Sequence, residues 1–371
     1  MILTFEIVVG VALAAVGFVV SLVASSHVVL YKRDSRSAIA WTGLIWLAPF
    51  VGTILYVLLG INRIERRARI LRTDATSGIR PACVDQSATS TRTPDASSSL
   101  TQLSRLIKRV TSLDLTHGNS VVPLSGGDEA YLAMLDAIAE AERTIGLSTY
   151  IFDDDDVGLK FAKALVAALA RGVEVRVLID AVGASYALSS IVATLEELGV
   201  RVATFNPPLL PGRFRYANLR NHRKILTIDG TVAFTGGMNI RGCCATSDDC
   251  SASVDDLHFR LNGPIIKHVQ DTFAADWLFA ANEELAGNGW YPELKESGTC
   301  SARGIVAGPD ELFDRLRLTL LGACQCAMRS LRIVTPYFLP EASLISALNV
   351  AALRGVTVEI LLPEHGNQKL V

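Results

Sequence analysis

The chain has few cysteines, few histidines and no excess charge of either sign. It holds 7 cysteines and 6 histidines in 371 residues. The odd cysteine count, without a single C-x-x-C pair, excludes a fully paired disulfide scaffold and a thiolate zinc site. Reduced thiols are expected, and no metal or other cofactor. Lys and Arg number 35 against 37 Asp and Glu, a net charge of −2. That balance provides no basic field of the size nucleic acid needs, so no nucleic-acid partner is expected. The one acidic run, Asp153 to Asp156, lacks the glycine and bidentate Glu of a calcium loop and reads as a solvated loop end.

Two stretches lack charge altogether. From Ile7 to Tyr31, and again from Ala38 to Ile61, there is no Asp, Glu, Lys or Arg. Each exceeds the roughly 20 residues that span a bilayer core. Two transmembrane helices, about 7–31 and 38–61, are therefore predicted within a membrane anchor covering residues 1–72. Glu6 and the missing basic n-region argue against a cleaved signal peptide. Arg63, Arg66, Arg67, Arg69 and Arg72 follow the second stretch, against Lys32, Arg33 and Arg36 between the two. The positive-inside rule then places the remainder in the cytoplasm, on a multi-pass protein of the inner (plasma) membrane. Residues 73–100, which include SATSTRTPDASSSL, are too polar to bury a core and read as a flexible linker.

From Thr101 onward the composition is that of a globular α/β domain. Ala164 to Ile179, ALVAALARGVEVRVLI, is echoed by Ala347 to Leu362, ALNVAALRGVTVEILL. Each reads as an apolar helix, an Arg-Gly turn and a β-branched strand. The implied architecture is a mixed sheet with helices on both faces, divided into a first lobe at 101–290 and a partial second lobe at 300–371.

The chemistry is concentrated between Asn221 and Asn239, NHRKILTIDGTVAFTGGMN. His222, Lys224, Asp229, Gly236, Gly237 and Asn239 follow the pattern H-x-K-x4-D-x6-G-G-x-N. The apolar run Ile225 to Ile228 reads as a short buried strand, so His222 and Lys224, two apart, share one face. A neutral imidazole is a nucleophile toward phosphorus. An ammonium and the Asn239 amide suit the negative charge that develops on non-bridging oxygens. Gly236 and Gly237 let the backbone turn and approach a phosphate closely.

These residues resemble the signature of the phospholipase D superfamily, and their context resembles its bacterial cardiolipin synthase branch. That context includes Arg220-Asn221-His222-Arg223-Lys224, Tyr150-Ile151-Phe152, Asn262-Gly263-Pro264 and Phe273 with Asp276-Trp277. The resemblance implies transfer of a phosphatidyl group between phosphatidylglycerol molecules through a phosphohistidine at His222, with Lys224 and Asn239 on the phosphate oxygens. Asp256, in VDDLHF, matches the family's Trp-Arg-Asp-x-His segment and is expected to steady the nucleophilic imidazole. Val254-Asp255 stand where Trp-Arg is usual. Asp229 counts with His222 and Lys224 in the catalytic motif, more as an orienting or structural member than a chemical one; the alternative is a surface-turn Asp before Gly230.

Members of the family bring two such motifs together, one histidine attacking and the other protonating the leaving oxygen. Here His365 is followed by Lys369, the wrong spacing for a second copy. A homodimer or a paralogue supplying the second motif is one expectation. The alternative is a catalytically incomplete membrane protein that binds anionic lipid or a full-length paralogue. A phosphodiesterase or nuclease on the same scaffold is a third reading.

Overall fold

Thirty residues without a proline or an internal basic residue form α1 (Ile2–Tyr31). It exposes Val8, Val11, Val16, Phe18 and Val29 along its length. In water such a surface would be costly; in a hydrocarbon layer it matches its surroundings, as expected of a membrane anchor. The computed structural model describes residues 2–32, 35–60, 99–183, 191–206, 220–244, 255–308 and 313–364. The Arg63–Arg72 cluster, residues 73–98 of the expected linker, and His365 with Lys369 lie outside the described residues. Two compact units are present, one holding the described residues 2–32 and 35–60 and a larger one holding the described residues from 99 onward.

The amino-terminal unit corrects one expectation. The second uncharged stretch is not a single spanning helix. α2 (Ser35–Leu47) stops at Ala48, and α3 (Pro49–Leu55) continues into a π turn at Tyr56–Gly60. Ala48 leaves the helical region at φ −141°, ψ 78°. Pro49 causes the break: it has no N–H to donate and its ring would collide with the carbonyl one turn earlier. Among the described residues, α1 is the one helix long and apolar enough to cross a membrane by itself. Ala24, Val28, Ile45 and Tyr56 are buried where these helices meet, and His27 Nδ1 lies 2.8 Å from the Tyr56 hydroxyl.

In the larger unit, α4 (Ser99–Thr111) leads into β1 (Thr116–Ser125), α5 (Gly126–Glu140), β2 (Thr144–Thr149), α6 (Asp156–Ala170) and β3 (Glu174–Asp180). There follow α7 (Ile191–Glu197), β4 (Arg201–Phe205), β5 (Ile225–Ile228), β6 (Val232–Gly236), β7 (Leu257–Asn262), α8 (Ile266–Ala281) and β8 (Cys300–Ala302). The sheet has eight strands in the order β4-β3-β2-β5-β6-β7-β1-β8. β4, β3 and β2 are parallel, and every other pairing is antiparallel. This is the expected mixed α/β sheet.

Alternation along the strands sends residues to two separate cores. Ile145, Leu147, Val177, Leu226 and Phe234 pack with Tyr131, Ile138, Phe161 and Leu165 from α5 and α6. On the opposite face Leu178, Phe205 and Ile225 pack with Phe273 and Trp277 of α8. Both aromatic rings are fully buried, each contributing on the order of 2–3 kcal/mol by removal from water.

The last elements are α9 (Phe313–Cys326), β9 (Ser330–Val334), α10 (Ala342–Leu353) and β10 (Thr357–Leu361). β9 and β10 are parallel, as β2 and β3 are. The two helix-to-strand turns match in detail. Arg171 and Arg354 cap their helices in the right-handed region, and Gly172 and Gly355 both take φ 87°. A left-handed φ at that point is open to glycine at little cost, which is why Arg-Gly recurs.

Candidate active site

Because β5 runs antiparallel to β2, the carboxyl ends of β2 and β3 share a sheet edge with the entry to β5, the exit of β6 and the entry to β7. That is where open α/β sheets place their ligands. Tyr150 follows β2, Asp180 ends β3, Arg220 to Lys224 precede β5, Gly236 to Asn239 leave β6, and Asp256 and His258 open β7.

β5 is buried along its whole length, which anchors the segment before it. Within that segment alternate residues are held. Asn221 is 2% exposed; its N–H donates to Asp180 Oδ2 at 2.8 Å and its side-chain amide to Asp276 Oδ2 at 3.1 Å. The Arg223 N–H donates to Asn221 Oδ1 at 3.1 Å, and its guanidinium reaches both Asp276 oxygens at 2.7 and 2.6 Å. His222 and Lys224, on the other phase of the alternation, are left to face the site. His222 is exposed, with the Tyr150 ring stacked on it at 4.0 Å between centroids and 16° between planes. Lys224 Nζ lies 5.6 Å from the Tyr150 ring centre and donates to the His222 carbonyl at 2.7 Å.

Burial lowers the His222 pKa below the usual imidazole value, with the Lys224 and Arg220 charges adding to it and Asp180 opposing. At neutral pH the ring is therefore neutral and nucleophilic. Burial lowers Lys224 to about 8, against the charges of Asp256 and Asp180, so it remains mostly cationic at pH 7.

The glycine turn is required by a neighbour. A Cβ on Gly237 would land on the Asp256 carboxylate, and one on Gly236 would lie 2.6 Å from His258 Nδ1. Asn239 accepts the Ile151 N–H on Oδ1 at 3.1 Å, which leaves its amide nitrogen as the end for a ligand oxygen. Tyr131 donates to the Asn239 carbonyl at 2.5 Å. His258 is 2% exposed with no hydrogen-bond partner for Nδ1, and burial together with the Lys224 charge lowers it to about 4.

Two predicted residues stand elsewhere than expected. Asp229 lies at the far end of β5, five residues beyond Lys224 and seven beyond His222, roughly 16 Å or more of extended chain from the pair. Its carboxylate accepts the N–H groups of Glu142, Arg143 and Thr144 at 3.0, 2.7 and 2.8 Å, and its φ is 51°. Asp256 belongs to the correct edge, but among the described residues no hydrogen bond joins it to His222. It accepts its neighbour Leu257 N–H at 2.7 Å, and its charge acts on Lys224. β3 and β7 each stand one strand away from β5, across β2 and β6; Asp180 at the end of β3 accepts the Asn221 N–H beside the imidazole at 2.8 Å. The run Asp153–Asp156 is more than a solvated end. Asp153 pairs with Arg241 at 3.0 Å, while Asp155 caps α6 through the Gly158 N–H at 2.9 Å and holds the Gly242 N–H at 2.6 Å.

Residues missed as site members are Asp180, Tyr150 and Asp276. One signal for Asp180 was available: it is an acid at the carboxyl end of a strand of buried apolar residues.

Known proteins place these features in a family. The "Cardiolipin synthase, PLD-like domain" family matches residues 134–277, and the "Phospholipase D-nuclease N-terminal" family matches residues 19–60. A cardiolipin synthase of Geobacillus thermodenitrificans is 28% identical over 99% of this chain and 72% of its own length. Cardiolipin synthase A of Pseudomonas fluorescens is 29% identical over 94% of this chain and 73% of its own. The crystal structure of a phosphatidylserine synthase from Haemophilus influenzae, 14% identical, superimposes with a TM-score of 0.52 over 71% of this chain and 66% of that one, a likeness of fold. Distant but nearly full-length similarity, with both the amino-terminal helices and the histidine-lysine lobe matched, makes the chain phospholipase D-like, of the cardiolipin synthase-like kind.

Proposed function

We propose that the protein is a membrane-anchored phosphatidyltransferase of the cardiolipin synthase type, joining two phosphatidylglycerol molecules into cardiolipin with release of glycerol. The observation that carries this reading is His222 stacked on the Tyr150 ring at 4.0 Å with the Lys224 ammonium 5.6 Å from the same ring.

His222 attacks the phosphorus of the donor lipid, and the bond from phosphorus to the departing glycerol oxygen breaks. Lys224 and the Asn239 amide hold the non-bridging oxygens as charge builds on them. Gly236 and Gly237 keep the turn clear of side chains. The leaving oxygen needs a proton, since an alkoxide departs poorly without one. In this reading a second histidine-lysine motif supplies it. The hydroxyl of the acceptor phosphatidylglycerol then attacks phosphorus, passes its proton to the group that protonated the leaving oxygen, and the phosphorus–nitrogen bond breaks to free His222. Asp229 acts through the backbone and is a positioning residue.

The purified protein, given phosphatidylglycerol vesicles, is expected to form cardiolipin and glycerol in equal amounts. Glycerol release without cardiolipin would identify a hydrolase instead. Lipid binding without either product would favour the incomplete, lipid-binding reading.

Both uncharged stretches, α1 and the broken α2–α3 segment, cross the membrane in this proposal, leaving the larger unit on the cytoplasmic side. The full chain should stay in the membrane fraction through high-salt and carbonate washes, and a chain beginning near Thr101 should lose its spanning anchor. Recovery of the full chain in folded form in the wash would contradict the anchor. Labelling of Cys83 by an impermeant thiol reagent on intact cells would contradict the orientation.

A further inference from the structure

One buried carboxylate next to the nucleophile has no role in the reaction above. Asp180 is 1% exposed at the end of β3. Such a group is costly to bury unless its oxygens are satisfied. Here Oδ2 accepts the Asn221 N–H at 2.8 Å, Oδ1 accepts the Val182 N–H at 2.9 Å, and Arg220 lies 3.7 Å from Oδ1. Asn221 and Arg220 are the two residues immediately before His222.

We infer that Asp180, with Arg220 as its counter-charge, is a positioning residue that fixes the backbone carrying His222 and holds a negative charge beneath the imidazole. The inference rests on the reading of His222 as the nucleophile. Asp276 holds the same segment from α8 but through side chains, Asn221 and Arg223. The two carboxylates thus grip the segment from two elements while His222 faces the site.

The groups acting on His222 are Tyr150 by stacking, and Lys224, Asp180 and Arg220 by charge. Asp256 and His258 on β7 are coupled to Lys224. Asp180 is the negative member of the set acting on His222. Its charge favours the imidazolium, so removing it should make the ring lose its proton at lower pH.

The test uses the full chain in membranes or detergent. Carbethoxylation of His222 by diethyl pyrocarbonate, followed peptide by peptide in the mass spectrometer, reports the protonation of this exposed ring without any turnover. Asp180→Asn should shift the midpoint of the rate-pH curve down by about one unit. The maximal rate of single-turnover phosphorylation of His222 by an activated phosphodiester should fall on the order of 10²-fold, because a small misplacement of a nucleophile is that costly. Asp276→Asn should slow phosphorylation while leaving the carbethoxylation midpoint where it was.

An unmoved midpoint in Asp180→Asn, or an equal shift in Asp276→Asn, overturns the inference. Should Asp180→Asn fail to fold, Arg220→Gln decides: removing the counter-charge should move the midpoint up, and no movement overturns the pairing. A shifted midpoint in a protein that never transfers phosphatidyl groups would leave this inference standing and remove the proposed activity.

Discussion

Replacing His222 by alanine is expected to abolish covalent labelling by an activated phosphodiester such as bis(p-nitrophenyl) phosphate. The wild-type chain should take up one phosphoryl group, acid-labile as a phosphoramidate is, and release p-nitrophenol stoichiometrically. A good leaving group departs without a proton, so this half-reaction needs His222 and its oxyanion partners alone. Lys224→Ala should slow labelling on the order of 10²–10³-fold, the usual effect of removing one group that stabilises developing charge.

The pH dependence of that labelling follows from the two shifted groups. Attack requires neutral His222, and burial has lowered its pKa; labelling therefore rises with pH through a midpoint below the ordinary imidazole value. Stabilisation of the phosphate oxygens requires cationic Lys224, lowered to about 8; labelling should fall above that point as the ammonium loses its proton. The curve is a bell with its maximum near neutrality. Undiminished labelling of the His222→Ala protein, or a rate still climbing well above the Lys224 value, would show that another residue is the nucleophile or that Lys224 acts differently.

Asp229→Ala should strike stability and spare chemistry. Three backbone N–H groups, those of Glu142, Arg143 and Thr144, lose their acceptor together. The bonds from Glu142 and Arg143 are exposed and water can replace their acceptor, while that from Thr144 is partly buried, so the total is about 1–2 kcal/mol. Alanine would in addition inherit the left-handed φ of 51°, a conformation costing about 1 kcal/mol for a residue without a polar short side chain. For a unit of this size the loss corresponds to a fall in melting temperature of roughly 5–8 °C. Below the melting transition, His222 labelling per folded molecule should remain close to wild type. Thermal unfolding and labelling measured on the same sample separate the two outcomes. An unchanged melting temperature with lost labelling would return Asp229 to the chemistry.

The contrast between Asp229 and Asp180 shows what kind of information each level carries. Asp229 sits in the motif by sequence yet stands at the opposite end of β5 from His222, because a run of four strand residues separates them. Asp180 has no place in the motif and yet binds the residue next to the nucleophile. Spacing along a strand is a local property: the two-residue period was enough to put His222 and Lys224 on one face, and the apolar run Ile225–Ile228 was enough to mark the strand. Likewise, the absence of charge from Ile7 to Tyr31 determined α1, and the Arg-Gly repeats determined two matching helix-to-strand turns with the same glycine conformation. Strand order is not local. β5 enters the sheet beside β2, with β3 next in line, and that arrangement brings Tyr150 onto the imidazole and Asp180 under its backbone. It also sets Asp256 at the entry to β7, where its charge acts on Lys224. The second uncharged stretch was legible as membrane-like in composition, but its break at Ala48–Pro49 depended on backbone hydrogen bonding, which hydropathy does not weigh. The sequence alone determined that His222 and Lys224 share one face at the entry to a buried strand. The tertiary structure decided which carboxylates hold them in place, because those come from elements brought together by sheet pairing and helix packing rather than by nearness along the chain.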